Sequence, residues 1–395
     1  MTNSRIAWWQ QARFGIFVHW GLYAIPGRGE WNRLQENVPV DEYAKLAEEF
    51  TPDAFDPRKW VRTARDAGAG YVVLTTRHHD GFCLFDSAAS DFTAPQSACG
   101  RDLIAEFADA CHTEGMRMGF YYSLLDWHFP FAVPASTHYE DSVYAPTVEQ
   151  AHAQVRELLT NYGKVDILWY DGMAHGDASL WRSVELNTMA RELQPDILIN
   201  NRAGTDEDFG TPENVIKPDA RPWEACYTMN DTWGYAPGDT NYKPASELIR
   251  LLTSCAAQAG NLLLNIGPDP SGRFPRETTD RLAEVGAWMK RNGKAIRGSE
   301  RSPISAPALG WGTRVGNLVY LLIWRWPGGT LPFAWCGSRA TRARLLTDGR
   351  MLRVEQEGDR VWLHGLPSEC PEPTGVAAIE LAFDGEPKAS DPPMS

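Results

Sequence analysis

The stretch VDILWYDG, from Val165 to Gly172, ends a run of mostly apolar residues in a carboxylate, Asp171. An aspartate there is either the cap of a following helix or a nucleophile or base offered at the end of a buried strand. Side chains alternate along a strand, so Trp169 and Asp171 share a side. An aromatic ring beside a carboxylate suits an oxocarbenium-like transition state. The acid stabilises developing positive charge and the ring stacks on a sugar.

Other chemistry-bearing residues gather in comparable places. RFGIFVHWG reads as a first strand ending at His19, and Glu30–Trp31 follows by a short loop. His78, His79 and Asp80 lie in TTRHHDGF, Tyr122 in GFYYSLLDWH, and Asn200, Asn201 and Arg202 in DILINNR. Asn265 sits near the end of NLLLNIG. These groups suit hydrogen bonding to sugar hydroxyls. Glu213 in DFGTPENV and Glu224 in RPWEAC, the latter beside Trp223, are both candidate general acids. Which one has a raised pKa depends on burial, which the sequence does not give. A metal site built from His19, His78 and Asp171 is the weaker reading. Adjacent histidines on a strand point in opposite directions, and the place where barrel metallohydrolases carry His-x-His reads Phe17-Val18-His19. The expectation is no metal and no cofactor. No GxSxG offers a serine nucleophile.

A repeating unit must position these residues: amphipathic helix, glycine turn, short apolar run. Asp56–Ala67 places Trp60, Ala64 and Ala67 at helical spacing ahead of Tyr71–Leu74. Asp102–Glu114 leads into MRMGFYY, and Thr147–Tyr162, opened by the capping-box pair Thr147 and Gln150, leads into VDILWYDG. Ala178–Gln194 precedes DILINNR, and Ser246–Ala259 precedes NLLLNIG. Helices alternating with fully apolar strands predict an α/β fold with a helix-covered parallel sheet. The polar residues stand at the C-terminal ends of many different strands, which share one mouth if the sheet closes as a (β/α)8 barrel. No GxGxxG follows a strand, which removes the main dinucleotide signal. Ala203–Pro244 is rich in Gly, Pro and Asp, so one or two barrel helices are expected to be missing. After the helix at Thr279–Arg291, short strands between Gly/Pro turns predict a small C-terminal β-sandwich. The division expected is a barrel over residues 1–300 and a sandwich over 301–395, with a frayed tail at Asp384–Ser395.

A chain of 395 residues accommodates such a pair. Its net charge of −13, without a Lys/Arg cluster, makes nucleic acid and anionic membranes poor partners. Seven cysteines, odd in number and lacking CxxC, fit a reducing compartment better than a zinc ribbon or a disulfide framework. With no apolar run of signal or membrane length, a cytoplasmic location is expected. Sixteen tryptophans are many for this length, and some are expected to line a pocket for the flat apolar face of a sugar.

Taken in order, RFGIFVHWG, Glu30–Trp31, FDPRKWVRTARDAGAGYVVLTTRHHDGF, GFYYSLLDWH, LLTNYGKVDILWYDG, NNR, TPE and GNLLLNIGPDPSGRFP resemble glycoside hydrolase family 29, the α-L-fucosidases. The motifs span nearly all of residues 5–300. The resemblance implies a distorted (β/α)8-like barrel, a C-terminal β-sandwich, and retaining double displacement on a fucosylated oligosaccharide or glycoconjugate. It implies Asp171 as nucleophile and Glu213, the glutamate of TPE, as acid/base, with Glu224 in reserve. Retention implies carboxyl groups about 5–5.5 Å apart. His19, Glu30, Trp31, His78, His79, Tyr122, Trp169 and Arg202 match fucose-holding positions, with Trp223 and Glu224 placed beside them. WEACYTMNDTWGY is similar to the subfamily that prefers α-1,3/4-linked fucose of Lewis type. His128–Pro146 reads as an irregular loop, either the aglycone side of the site or a surface excursion. The competing readings are a broad-specificity fucosidase, a metal-dependent barrel hydrolase, and a sugar-binding protein without catalysis.

Overall fold

The computed structural model describes residues 5–128, 141–172 and 178–390. Among them, seven strands form one parallel sheet. These are β1 (Phe14–Val18), β2 (Tyr71–Arg77), β3 (Arg117–Ser123), β4 (Ile167–Asp171), β5 (Leu198–Ile199), β6 (Glu224–Thr228) and β7 (Asn261–Ile266). The hydrogen-bonded order is β5-β4-β3-β2-β1-β7-β6. That is the order of a barrel opened at one seam, between β5 and β6.

The seam is spanned by extended chain. Asn200 bridges Phe209, and Gly210 and Glu213 bridge Trp223 and Cys226, all in parallel sense. Asp208 N–H donates to the Ile199 carbonyl at 2.9 Å, while Glu224 N–H donates to the Gly210 carbonyl at 2.9 Å. Residues 208–213 therefore satisfy backbone groups of both edges, which a buried sheet edge requires. Among the described residues no α-helix lies between β5 and β6, as the Gly/Pro-rich composition there led us to expect.

The apolar strands are buried on both faces, and alternation sorts their side chains into two cores. Ile16, Val72, Leu74, Phe120, Tyr122 and Leu168 face the surrounding helices. Phe17, Val73, Tyr121, Ile167, Trp169 and Leu263 face inward, where Trp9 closes the far end. Glycine makes room inside: a Cβ on Gly15 would lie 2.3 Å from the Tyr71 ring.

The helices follow their sequence signals. Asp56 caps Pro57–Asp66 by accepting the Lys59 N–H at 3.0 Å, and Pro57 occupies the first turn. Asp102 caps Leu103–Glu114 in the same way, and Gly115 at φ 65° ends it. A helix of ten residues is marginal alone, but burying Trp60 and Val61 contributes roughly 1.5–3 kcal/mol per large side chain.

Two expectations change here. The helix expected at Thr147 runs from Asp141 to Asn161 with Pro146 inside it, so Thr147 does not cap; its hydroxyl is buried without a partner among the described residues. The loop His128–Pro146 thus shortens, and residues 129–140 lie outside the described ones. The expected frayed tail is anchored as far as Ser390. Lys388 accepts the Gly337 N–H at 2.9 Å and Ser390 donates to the Trp335 carbonyl at 3.0 Å. Residues 391–395 lie outside the described ones.

The C-terminal strands are β8 (Glu300–Arg301), β9 (Gly310–Val315), β10 (Leu318–Ile323), β11 (Thr330–Phe333), β12 (Ala340–Leu345), β13 (Met351–Glu357), β14 (Arg360–His364) and β15 (Ala377–Phe383). They form one continuous antiparallel sheet, in order β11-β14-β13-β12-β15-β10-β9-β8. Leu321, Leu345, Leu363 and Ile379 enclose its own core. Tyr320, Leu322 and Ala378 on the other face join the helix-layer core. There Trp288 Nε1 donates to the Val376 carbonyl at 2.7 Å.

Candidate active site

A cavity of about 390 Å³ opens at the C-terminal ends of the parallel strands, a volume in the range of small-ligand sites. Each strand delivers its contribution by running out of apolar residues at the mouth. β1 leads to His19, β2 to His78 and His79, β4 to Asp171, and β5 to Asn201 and Arg202; all line the cavity. Glu213 reaches it from the extended segment at the seam, and Glu30 and Trp31 from the loop after β1.

Asp171 is held on both oxygens. Arg202 Nη1 donates to Oδ1 at 2.8 Å, and the Tyr121 hydroxyl donates to Oδ2 at 3.0 Å. Burial alone would raise this carboxyl, but the Arg202 charge and hydrogen bond, with the Gly172 N–H, hold it below its ordinary value. It is ionised at neutral pH. The same guanidinium donates through Nη2 to Glu213 Oε2 at 2.9 Å, and lies 4.6 Å from the Trp169 ring centroid. Glu213 is the more exposed carboxylate, at 43% against 22% for Asp171. The two therefore meet one fork of donors from different sides, Asp171 from within and Glu213 from the rim.

Glu30 is buried, which raises its pKa, and its Oε2 accepts the Gly234 N–H at 2.8 Å. That bond ties the first loop to the segment carrying Trp233, which also lines the cavity. Trp31 stands edge-on to His79 and Trp127, with ring centroids 5.2 and 5.3 Å away.

Of the residues singled out from sequence, His19, Glu30, Trp31, His78, His79, Trp169, Asp171, Arg202 and Glu213 line the cavity. Asn201 lines it too, whereas Asp80, Asn200, Asn265, Tyr122, Trp223 and Glu224 do not. Tyr121 is in register with Trp169, so it takes the interior face; Tyr122 takes the helix face, donating to Gln154 Oε1 at 2.7 Å. The cavity tyrosine is Tyr121, and strand alternation from Trp169 was the available signal. Trp223 packs against Gly260, whose added Cβ would lie 2.3 Å from the indole. Glu224 is fully buried beneath the cavity, accepting from the Tyr71 hydroxyl and, at 3.2 Å, from Trp169 Nε1. With protein on both oxygens it is out of reach of a leaving group.

The cavity also takes Phe17, Leu125, Cys226 and Trp233. Phe17 and Cys226 are apolar positions on β1 and β6 whose orientation depends on register, while Leu125 follows β3 in the loop. Among the described residues, no group of three His, Cys, Asp or Glu side chains is placed to hold a metal ion.

The alpha-L-fucosidase family model matches residues 2–294. The tissue alpha-L-fucosidase of Homo sapiens is 30% identical over 364 residues, covering 81% of this chain and 76% of that protein. Among solved structures, alpha-L-fucosidase isoenzyme 1 from Paenibacillus thiaminolyticus superposes with a TM-score of 0.90 at 38% identity, over 97% of this chain and 99% of that one. A GH29 alpha-L-fucosidase from Bacteroides thetaiotaomicron, a covalent intermediate trapped with 2-fluoro-fucosyl fluoride, has a TM-score of 0.90 at 28% identity, covering 98% of this chain and 97% of that one.

Proposed function

The chain belongs to the alpha-L-fucosidase family, glycoside hydrolase family 29, and on that footing we propose a retaining exo-α-L-fucosidase acting on α-1,3- or α-1,4-linked fucose of Lewis-type oligosaccharides. The observation that carries the proposal is that Asp171 and Glu213 reach one cavity and share the Arg202 guanidinium. A cavity of about 390 Å³ suits one terminal sugar, hence exo action.

Asp171 attacks the anomeric carbon while the glycosidic C–O bond breaks, and Glu213 gives its proton to the departing oxygen. Glu213 then takes a proton from water, whose oxygen attacks the same carbon and frees Asp171. Two inversions give net retention. The trapped intermediate of the Bacteroides relative supports this route. Inside the cavity, His19, His78, His79, Glu30 and Arg202 bind ring hydroxyls. Phe17, Trp169 and Trp233 offer apolar surface to the sugar face and the C6 methyl.

The linkage rests on the likeness of Trp223–Tyr235, WEACYTMNDTWGY, to the subfamily that prefers α-1,3/4-linked fucose; this stretch supplies β6 and then carries Trp233 to the cavity. The same proposal takes residues 1–300 as a distorted (β/α)8 barrel, with 208–213 as its irregular eighth stave, and 301–395 as a β domain whose one continuous sheet encloses its own core in the manner of a sandwich. The seven free cysteines support a reducing, cytoplasmic setting. A substrate panel tests the linkage. Lewis-type trisaccharides are expected to turn over well, and strong turnover of 2′-fucosyllactose and simple aryl fucosides would refute the α-1,3/4 preference.

A further inference from the structure

Two groups behind the cavity wall determine which ring nitrogen of its histidines carries the proton. Asn265 Nδ2 donates to the Trp233 carbonyl at 2.7 Å, which fixes the amide orientation because a carbonyl only accepts. Its Oδ1 therefore faces His19 Nδ1, at 2.7 Å, and that nitrogen must donate. The Ser123 hydroxyl spends its proton on the Leu125 carbonyl at 2.8 Å, so Ser123 Oγ accepts from His79 Nδ1 at 2.7 Å.

We infer that Asn265 and Ser123 are positioning residues that lock His19 and His79 as Nδ1-protonated neutral rings, presenting an unprotonated Nε2 to the cavity. Burial keeps both rings neutral, with pKa values near 3 for His19 and 4 for His79. The spacing across the cavity agrees. His79 Nε2 stands 3.9 Å from Asp171 Oδ2, two acceptors that make no bond with each other. A group seated there must donate, and sugar hydroxyls do. A ligand carrying fluorine or ether oxygen at those positions meets unpaired acceptors and binds poorly. The inference rests on the sugar-binding role of the cavity, but the tautomers themselves do not.

The test is long-range 1H–15N NMR of the full chain labelled with 15N-histidine. His19 and His79 are assigned by the resonances lost in His19→Gln and His79→Gln. Protonated Nδ1 with unprotonated Nε2 is expected for both between pH 6 and 8, and an Nε2-protonated ring at either position would overturn the inference. Kinetics supply the second readout. Ser123→Ala is expected to release the His79 tautomer and lower kcat/KM by about 10- to 100-fold, the loss typical when an outer partner of a working histidine is removed. Asn265→Asp, similar in size, is expected to draw a proton onto His19 and produce a doubly protonated ring signal. Variants that fold with parental melting, unchanged spectra and unchanged kcat/KM would contradict the positioning role. Correct tautomers in a protein that turns over no fucoside would sink the proposed function while leaving this inference intact.

Discussion

Arg202 Nη1 donates to Asp171 Oδ1 at 2.8 Å, and this bond sets the charge state of the cavity. Without it, burial would govern Asp171 and push its carboxyl upward. Arg202→Met is therefore expected to move the acidic limb of the kcat/KM–pH profile to higher pH. It should also lower kcat/KM by about 100-fold or more, since two carboxylates lose a shared cation. A limb that stays in place would show that Arg202 does not tune Asp171.

Tyr121 and Tyr122 are neighbours in sequence with opposite duties. Tyr121→Phe removes a donor from Asp171 and is expected to cost about tenfold or more in kcat, the usual loss for a hydrogen bond to a charged group. Tyr122→Phe removes the bond that Tyr122 donates to Gln154 and the one it accepts from Arg77, both in the helix layer. It should leave kcat and KM within about twofold while lowering stability by about 1 kcal/mol. Kinetics and urea unfolding of the pair decide the matter; a catalytic loss confined to Tyr122→Phe would reverse the assignment of faces.

Glu224 makes the protein's stability depend on pH. Burial raises it from the ordinary 4.5 to about 7, against the pull of hydrogen bonds from Tyr71 and Trp169. Between those two values the folded chain keeps a proton that the unfolded chain has released, so stability falls as pH rises and levels off above about 7. Glu224→Gln has no such titration. Relative to the parent, it should gain stability from pH 4.5 to 7, on the order of 3 kcal/mol at most. Urea-unfolding free energies that run parallel for the two proteins across that window would exclude a raised Glu224.

Much of this architecture was legible because two periodicities survive in the sequence. The stripes through Trp60 and Ala64, capped by Asp56, and the apolar runs ending at His19, His79 and Asp171 gave helices, strands and the shared mouth. What escaped depended on register or on long-range partners. β6, Glu224–Thr228, begins with a glutamate inside a Pro-rich stretch and earns its strand only by pairing with β7 and the seam segment. The choice between Tyr121 and Tyr122 turned on alignment with Trp169, which the notion of a strand end does not resolve. Glu224 looked like an acid because it is a carboxylate among aromatics, yet Tyr71, far away in sequence, holds it under the floor. The Thr147 capping box was locally sound and lost to tertiary packing, which carries the helix back to Asp141.

The nucleophilic role of Asp171 is tested most directly by Asp171→Asn with and without azide. The account predicts that fucoside turnover falls by roughly a thousandfold or more, and that azide restores release of the aglycone with a fucosyl azide of inverted configuration as product. Turnover near the parental rate, or loss that azide does not rescue while the variant stays folded, would contradict it.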